Sequence, residues 1–423
     1  MKKENEYRII KNCNGSIKYK NNINKMYNKI IQEKIFLLIF IVIFFNLIIN
    51  YGNNLILIEK NLNKEFKDMK KFVSFSLNGI LINKNEVFHK VKNPKISIII
   101  AAFNAEGYIQ KSLLSIQNQN FKDIEIIIVD DNSKDNTTAL IKELMKKDER
   151  IELYINEINK GTLYTKCRGV SNSKGKYVMI LDQDDLYTQK DVFSTLYAYL
   201  ENKHLDMIGF ASIFSNDNIP QIIQKTNNII HYFESPILYQ PDISSRMYNF
   251  SSNDIPTRVN YVIWDYIFKG EIFRKVVKLI HNKFMNTKMI CHEDFLLFFL
   301  LSRASGSLKY IKRIFYVNIQ WVNDKKYKNK INKELNDIDK DDLICLSYIN
   351  FIEFLLINTN NNIKDKRIAS LEYNNYYLNH ECRNNKFILE RAINVSKLFL
   401  ENEYIEISEK NNIMNFLNGA KTI

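Results

Sequence analysis

Cysteine is scarce in this chain of 423 residues, and the few cysteines are widely spaced. They are Cys13, Cys167, Cys291, Cys345 and Cys382, and no two of them form a CxxC pair. This spacing excludes the usual zinc and thioredoxin-type motifs, and an odd number so far apart does not predict a disulfide framework. Most of these residues are therefore expected to be buried apolar thiols.

Two glycine patterns that bind phosphate are also missing. No GxxxxGKS/T motif occurs, which excludes the P-loop route to a bound nucleotide. No GxGxxG follows the first predicted strand, which argues against a dinucleotide-binding fold. The chain has only 11 glycines and 5 prolines and is 46% hydrophobic, which is typical of a globular protein and not of a disordered chain.

A net charge of +13 is compatible with nucleic acid, an anionic membrane surface or a phosphorylated substrate. The lysines are scattered, without an arginine-rich stripe or interleaved aromatic residues, so no nucleic-acid partner is predicted. A solvated lysine surface accounts for most of this charge. A phosphorylated ligand or a membrane surface is the alternative.

One long apolar run stands near the amino terminus. Residues 35–51 read IFLLIFIVIFFNLIINY, and 17 residues are at the short limit for crossing a bilayer core of about 30 Å. A cleaved signal peptide is the first alternative, but the 34 residues before the run are too long a polar lead. A buried core helix is the second, but no apolar helix pattern nearby would cover it. We predict a transmembrane helix at 35–51.

The segments beside this run suggest a topology. Residues 1–34 form a basic tail with nine Lys and Arg against three Glu, which favours a cytosolic amino terminus and a lumenal main domain (type II, in the Golgi or endoplasmic reticulum). Counted over twenty residues on each side, the flanks carry five basic residues apiece, so the opposite orientation stays open. Spaced apolar residues among Lys and Glu predict a helical stem at 52–93.

Strands and helices alternate from residue 95 onward. Buried parallel strands are predicted by apolar runs at 95–104, 125–131 and 177–185, with a shorter strand at 151–156. Helices are predicted at 106–119, from Thr137 onward, and from the loop 159–161 to Ser171. This alternation predicts an open α/β sheet, whose ligands bind at the carboxyl ends of the strands.

Carboxylates end two of the predicted strands. Asp131 follows one strand, and the segment DQDD places Asp182, Asp184 and Asp185 at the end of another. Desolvated carboxylates repel one another unless a cation or hydrogen-bond donors are present, so packing alone rarely produces such strand ends. Carboxylate oxygens suit Mg²⁺ or Mn²⁺, which binds a diphosphate, and Asp184 and Asp185 are the predicted metal ligands. Asp131, across the crevice, could accept hydrogen bonds from a nucleobase.

The stretch from residue 96 to residue 187 resembles the nucleotide-binding half of the family 2 inverting glycosyltransferases. The segments that carry the resemblance are AAFNAEGYIQKSLLSIQNQ, EIIIVDDNSKDNT and NKGTLYTKCRGVSNSKGKYVMILDQDD. Two later segments, WDYIFKGEIFRKV and HEDFLLFFLLSRAS, also fit. The resemblance covers about half the chain and implies an α/β GT-A domain (Rossmann-like, a nucleotide-diphospho-sugar transferase) at 94–324.

The motifs of that family imply roles for individual residues. Donor binding is implied for Ala101, Ala102, Phe103, Glu106, Asp131, Lys166, Asp182 and Asp184. Acceptor binding is implied for Trp264 and Glu293, and the role of general base for Asp294, the second acid of an ED pair. Lys166 and Cys167 stand where the family often has Arg-Asn. A lysine meets phosphate as a point charge, without the bidentate geometry of arginine.

Some of these acids have structural alternatives. Glu293 and Asp294 precede an apolar helix predicted at 295–301, and acids there are favourable because of the helix dipole. Asp294 could therefore be a helix cap instead of a base. Asp130 is expected to hold the loop that follows it and not to contact substrate.

The resemblance implies sugar transfer with inversion from a UDP- or GDP-linked donor to a glycan, protein or lipid hydroxyl, assisted by Mn²⁺ or Mg²⁺. A processive polysaccharide synthase is not expected, because the QxxRW motif is missing and one membrane span is predicted. Two alternatives stay open: an inactive relative that only binds ligand, and a nucleotidyltransferase, although AAFNAEGYI replaces the glycine-rich loop of such enzymes. Apolar spacing predicts a helical carboxyl-terminal extension at 325–423.

Overall fold

The computed structural model describes residues 86–216, 229–230, 234–240, 242–243, 262–280 and 293–320, with isolated residues elsewhere. The predicted membrane span at 35–51 and nearly all of the predicted extension at 325–423 lie outside this part of the chain. Within the described ranges, no helix has the length and apolar character needed to cross a bilayer. The chain divides into two compact units after Lys67, and every element described below belongs to the second unit.

The described strands form one mixed sheet of ten strands. They are β1 (Ile96–Ala102), β2 (Ile124–Asp130), β3 (Ile151–Ile155), β4 (Tyr177–Ile180), β5 (Leu186–Tyr187), β6 (Met207–Asn216), β7 (Ile229–Ile230), β8 (Leu238–Tyr239), β9 (Tyr266–Lys269) and β10 (Ser307–Gln320). The order is β3-β2-β1-β4-β9-β6-β10-β5, with β7 beside β6 and β8 beside β10. Strands β3, β2, β1 and β4 are parallel, whereas β9 lies antiparallel between β4 and β6.

Helices cover both faces of this sheet. In the described part they are α1 (Ile109–Gln117), α2 (Thr137–Met145), α3 (Thr162–Asn172), α4 (Val192–Lys203), α5 (Gly270–Leu279) and α6 (Glu293–Ala304). Alternate side chains of a strand point to opposite faces, so Ile98 and Ile100 of β1 pack with α1 and α4, while Ile99 packs with α3 and α6. Because both faces are covered, the parallel strands read as unbroken apolar runs.

The predicted open α/β sheet is confirmed, but the strand predicted at 177–185 is shorter. Strand β4 ends at Ile180, and the DQDD segment lies in a turn in which the Asp185 amide donates to the Asp182 carbonyl at 3.2 Å. Its acids are therefore outside the strand ladder. No sequence pattern above predicts β6, β9 or β10, which complete the sheet.

Gly169 permits a close approach between α3 and the sheet. A Cβ atom at this position would lie 2.4 Å from the Cγ2 atom of Ile99 and 3.4 Å from that of Val129. Both methyl groups belong to buried side chains in strands, where close packing leaves little room for movement. The missing side chain thus allows α3, which carries Lys166, to pack directly on β1 and β2.

Gly169→Ala is expected to lower the free energy of unfolding by roughly 1–3 kcal/mol, because the added methyl group overpacks the interior. Gly107→Ala is the matched control, since a Cβ atom there meets nothing within 4 Å. Urea denaturation of both variants and of the wild type measures the difference. Equal stability of the two variants would show that the contact with Ile99 is not tight.

Candidate active site

A cavity of about 250 Å³ opens where the parallel strands β1, β2 and β4 end. Seven of the eight residues predicted to bind the donor line it, namely Ala101, Ala102, Phe103, Asp131, Lys166, Asp182 and Asp184. Glu293, which was predicted to bind the acceptor, also lines it. The cavity thus lies at the edge of the sheet where an open α/β fold binds its ligands.

Asp131 holds the loop between β3 and α3. Its Oδ1 accepts hydrogen bonds from Asn156 Nδ2 (2.7 Å) and from the Lys160 amide (2.8 Å), and its Oδ2 accepts one from the Gly161 amide (2.8 Å). Gly161 has a φ of 86°, in the left-handed region that favours glycine, and α3 begins at the next residue. A nucleobase contact, as predicted, would therefore share a carboxylate that already supports this loop.

Three lining residues were not predicted: Thr162, Thr165 and Gln183. The two threonines lie near the start of α3, where the helix dipole favours a bound anion. Gln183 Oε1 accepts a hydrogen bond from the Phe103 amide at 2.7 Å and so joins the loops after β1 and β4. Their positions, directly after Gly161 and inside DQDD, are the signals that could have identified them.

Lys166 is buried beside three carboxylates. Its Nζ donates to Asp294 Oδ1 at 2.8 Å and to Glu293 Oε1 at 3.3 Å, and it lies 3.4 Å from Asp182 Oδ1. Burial lowers the pKa of Lys166, but the charges of Asp182, Asp294 and Glu293 outweigh this effect and hold the pKa well above its usual value. The ammonium group therefore stays charged at neutral pH.

Asp294 lies in the first turn of α6. It does not line the cavity itself, but its Oδ1 accepts a hydrogen bond from Lys166, which does. Burial raises the pKa of its carboxyl to about 7; Lys166 opposes this rise, while the charges of Glu293 and Asp182 add to it. A carboxyl group that titrates near neutral pH is suited to accept a proton in catalysis. The structure thus places the predicted base in an environment that suits the role.

Asp182 and Asp184 both line the cavity. Burial and the neighbouring charge of Asp182 raise the pKa of Asp184 to about 7. Hard oxygen ligands of this kind fit Mg²⁺ or Mn²⁺. Among the described residues, no group of three or more His, Cys, Asp or Glu side chains could hold a metal ion.

The structure does not support Asp185 as a metal ligand. Its carboxylate accepts hydrogen bonds from the Tyr316 hydroxyl (2.7 Å), Asn318 Nδ2 (2.9 Å) and the Ile319 amide (2.8 Å), all on β10, and it does not line the cavity. It anchors the DQDD turn to β10 instead. Trp264, predicted to bind the acceptor, is also outside the cavity lining and stacks on Tyr316, with ring centroids 6.0 Å apart.

Two acids near the cavity organise the loop between β2 and α2. Glu106, predicted to bind the donor, does not line the cavity; its carboxylate accepts a hydrogen bond from the Asn136 amide at 3.1 Å. Asp130 accepts hydrogen bonds from the Ser133 amide at 3.0 Å and from the Thr138 hydroxyl. Glu106 thus supports this loop, outside the cavity lining, and the structural role expected for Asp130 agrees with its contacts.

Residues 97–264 match the protein family described as Glycosyl transferase family 2. Residues 97–264 thus correspond to a family 2 glycosyltransferase domain. Its curated relatives include a Campylobacter jejuni enzyme named GalNAc(5)-diNAcBac-PP-undecaprenol beta-1,3-glucosyltransferase, 29% identical over 234 residues, which cover 54% of this chain and 72% of the relative. An uncharacterized glycosyltransferase of Haemophilus influenzae is 35% identical over 27% of this chain and 45% of its own length. Glycosyltransferase GlyA of Streptococcus pneumoniae is 37% identical over 27% of this chain and 16% of its own.

The predicted glycosyltransferase activity is thus confirmed at the level of enzyme class. This glycosyltransferase spans less than half the length of the Haemophilus and Streptococcus relatives. It also resembles the crystal structure of residues 1–349 of Staphylococcus aureus TarS in complex with UDP-GlcNAc, with a TM-score of 0.51 and 15% identity, over 78% of this chain and 87% of that fragment. At that identity the likeness concerns the fold alone, and it confirms the predicted GT-A-like α/β architecture.

Asp185→Ala is expected to lower the free energy of unfolding of this glycosyltransferase by roughly 3 kcal/mol or more. The substitution leaves three donors of β10 without their acceptor, and each unmet buried group costs about 1–3 kcal/mol. Asp184→Ala is the matched control, because it removes the adjacent carboxylate from the cavity side and should cost under about 1 kcal/mol. Thermal unfolding of both variants compares them. An equal loss in both would argue against a structural role specific to Asp185.

Proposed function

We propose that this glycosyltransferase is metal-dependent, inverting and non-processive, and that its donor is a nucleoside diphosphate sugar. One observation carries the proposal: the donor-side carboxylates Asp182 and Asp184 share a cavity with Glu293, and Lys166 joins that cavity to Asp294. A single displacement needs two sets of groups: one that stabilises the departing group and one that accepts the proton of the attacking hydroxyl. A binding module or a nucleotidyltransferase has no need of the second set.

The cavity favours a diphosphate with a bound cation. Asp131, Asp182, Asp184 and Glu293 line it against one lysine, so an anionic donor without a cation would be repelled. Asp184, with Asp182 beside it, would hold Mn²⁺ or Mg²⁺, which when bound supplies positive charge that stabilises the departing diphosphate. The first turn of α3 offers further amide groups to phosphate oxygens. The UDP-GlcNAc bound by the structurally similar TarS supports a UDP-linked donor.

Asp294 would act as the general base on the acceptor. Its carboxylate takes the proton of an acceptor hydroxyl, the oxygen forms a bond to the anomeric carbon, and the bond from that carbon to the diphosphate breaks. The proton stays on Asp294 and the electron pair leaves with the nucleoside diphosphate. One displacement from the face opposite the leaving group inverts the anomeric configuration.

A glycan or lipid-linked glycan is the proposed acceptor. The named activity of the Campylobacter jejuni relative, on an undecaprenol-linked glycan, supports this choice. The apolar run at 35–51 supports it too, since a membrane attachment would hold the enzyme beside such an acceptor. Both points extend the proposal beyond the residues that the structure describes.

A screen of the full chain for hydrolysis of UDP- and GDP-linked sugars, with Mn²⁺, Mg²⁺ or a chelator, tests the proposed function. Asp294→Asn should lower the rate on the active donor by about a hundred- to ten-thousand-fold, because an amide cannot take the proton. Affinity for the matching nucleoside diphosphate should change by less than about threefold. Glu293→Gln is the matched control: a larger loss there than in Asp294→Asn would move the base to Glu293. Cleavage of no donor by the wild type would reject the proposal.

The rate should also fall as the pH drops below about 7. The ionised form of Asp294 is the base, and its raised pKa of about 7 means that roughly a tenth of it remains ionised one unit lower. We therefore expect kcat/KM to fall about tenfold from its plateau by pH 6. Initial rates from about pH 5.5 to about 8.5 measure this, with circular dichroism as the control for folding. A flat profile over that range would contradict the assignment.

A further inference from the structure

One buried ammonium group connects three separate elements of the fold. Lys166 extends from α3, whereas Asp182 lies in the turn after β4, and Glu293 and Asp294 begin α6. The side chain of Lys166 is only 2% exposed, and the contacts to α6 cross 127 and 128 positions of sequence. These contacts therefore depend on how α3 and α6 pack on the same face of the sheet.

Two of the three carboxylates accept hydrogen bonds from Lys166. Nζ donates to Asp294 Oδ1 at 2.8 Å and to Glu293 Oε1 at 3.3 Å, while Asp182 Oδ1, at 3.4 Å, forms an ion pair with it. A phosphate contact, as the sequence predicts, would compete with Asp182 for the remaining N–H group. The shortest contact is thus made with the proposed base and not with the donor side.

We propose that Lys166 is a positioning residue for Asp294. By binding Oδ1 it sets the rotation of the carboxyl group, so that Oδ2, which accepts no hydrogen bond from any described residue, is presented to the acceptor hydroxyl. The contact of the same ammonium with Asp182 fixes the position of Asp294 relative to the carboxylates on the donor side of the cavity. This role rests on the proposed function, because it assigns no task to Lys166 without a base at Asp294.

Positioning explains the arrangement better than stability does. Burying an ion cluster removes charges from water, and the mutual attraction of such groups often does no more than offset that loss. Three carboxylates around one ammonium also leave an excess of negative charge. What the cluster achieves is a defined geometry, and displacing a reacting group by about 1 Å can slow a reaction about a hundredfold.

Lys166→Met tests this role, since it keeps a long side chain but loses all three donors. We expect kcat to fall about a hundredfold while the affinity for UDP with Mn²⁺, measured by calorimetry, changes by less than about threefold. Lys166→Arg keeps a charged donor and should recover at least about fivefold of the lost rate. Lys176→Met is the matched control: it removes an exposed ammonium group paired with Glu201, away from the cavity, and should leave both quantities unchanged.

A second variant distinguishes an effect on the reaction rate from a loss of folding. Lys166→Met alone leaves the three carboxylates without their cation, so Lys166→Met/Glu293→Gln restores the net charge of the cluster and should fold. It should remain about a hundredfold slower than Glu293→Gln, because Asp294 still lacks its donor. Circular dichroism and melting temperature establish that each variant is folded before its rate is compared.

The outcomes separate this inference from the proposed function. A rate loss with unchanged UDP affinity, partly restored by arginine, supports positioning. A parallel loss of UDP affinity would instead make Lys166 a donor ligand, and full recovery in the charge-restored double variant would reduce its role to charge balance; either result overturns the inference alone. Wild-type protein that cleaves no nucleotide sugar would overturn the proposed function and this inference together.

Discussion

Repulsion among carboxylates gathered at one edge of a parallel sheet is the constraint on which the site depends. The acids at this edge cannot all be ionised and desolvated unless donors or cations face them. Different hydrogen-bond donors of the fold face each of these carboxylates. Asp131 receives amide groups of its own loop, Asp185 receives donors from β10, and Asp294 receives the ammonium of Lys166. The pKa values of Asp184 and Asp185 are nonetheless both raised by burial and by neighbouring acids, and Asp184 lines the cavity.

The hydrogen-bond partners of these carboxylates distinguish the ones with a structural role from the ones proposed to take part in the reaction. A carboxylate with several protein donors is held in place and contributes to the shape of the cavity, as Asp131 and Asp185 do. Asp184 and Asp294 both have a pKa raised to about 7; Asp184 lines the cavity, which suits the proposed cation site, whereas Asp294 accepts a hydrogen bond from Lys166, which suits the proposed base. Residues of one chemical type thus take different roles because their surroundings differ.

The mixed half of the sheet is what completes the site. Strands β3, β2, β1 and β4 supply the edge at which the cavity opens, but α6 and β10 come from the second half of the chain. Strand β10 fixes the DQDD turn through Asp185, and α6 brings Glu293 and Asp294 to Lys166. Gly169 allows α3 to lie close enough to the sheet for its lysine to be enclosed. The parallel half alone would present the carboxylates proposed to bind the donor without the acid proposed as the base.

Local patterns in the sequence predicted β1 to β4, the helix at 295–301 and the acids that follow these strands, because each depends on residues close together in the chain. Apolar runs and helical spacing report which face of an element is buried, and they place Asp131, Asp182 and Asp184 at one edge. Only the tertiary structure decided that Asp185 turns toward β10, that Glu106 holds a loop, and that Lys166 reaches Asp294. Those outcomes depend on contacts across 30 to 134 positions of sequence, where the packing of α3, α6 and β10 sets which side chains meet. No local spacing carries that information.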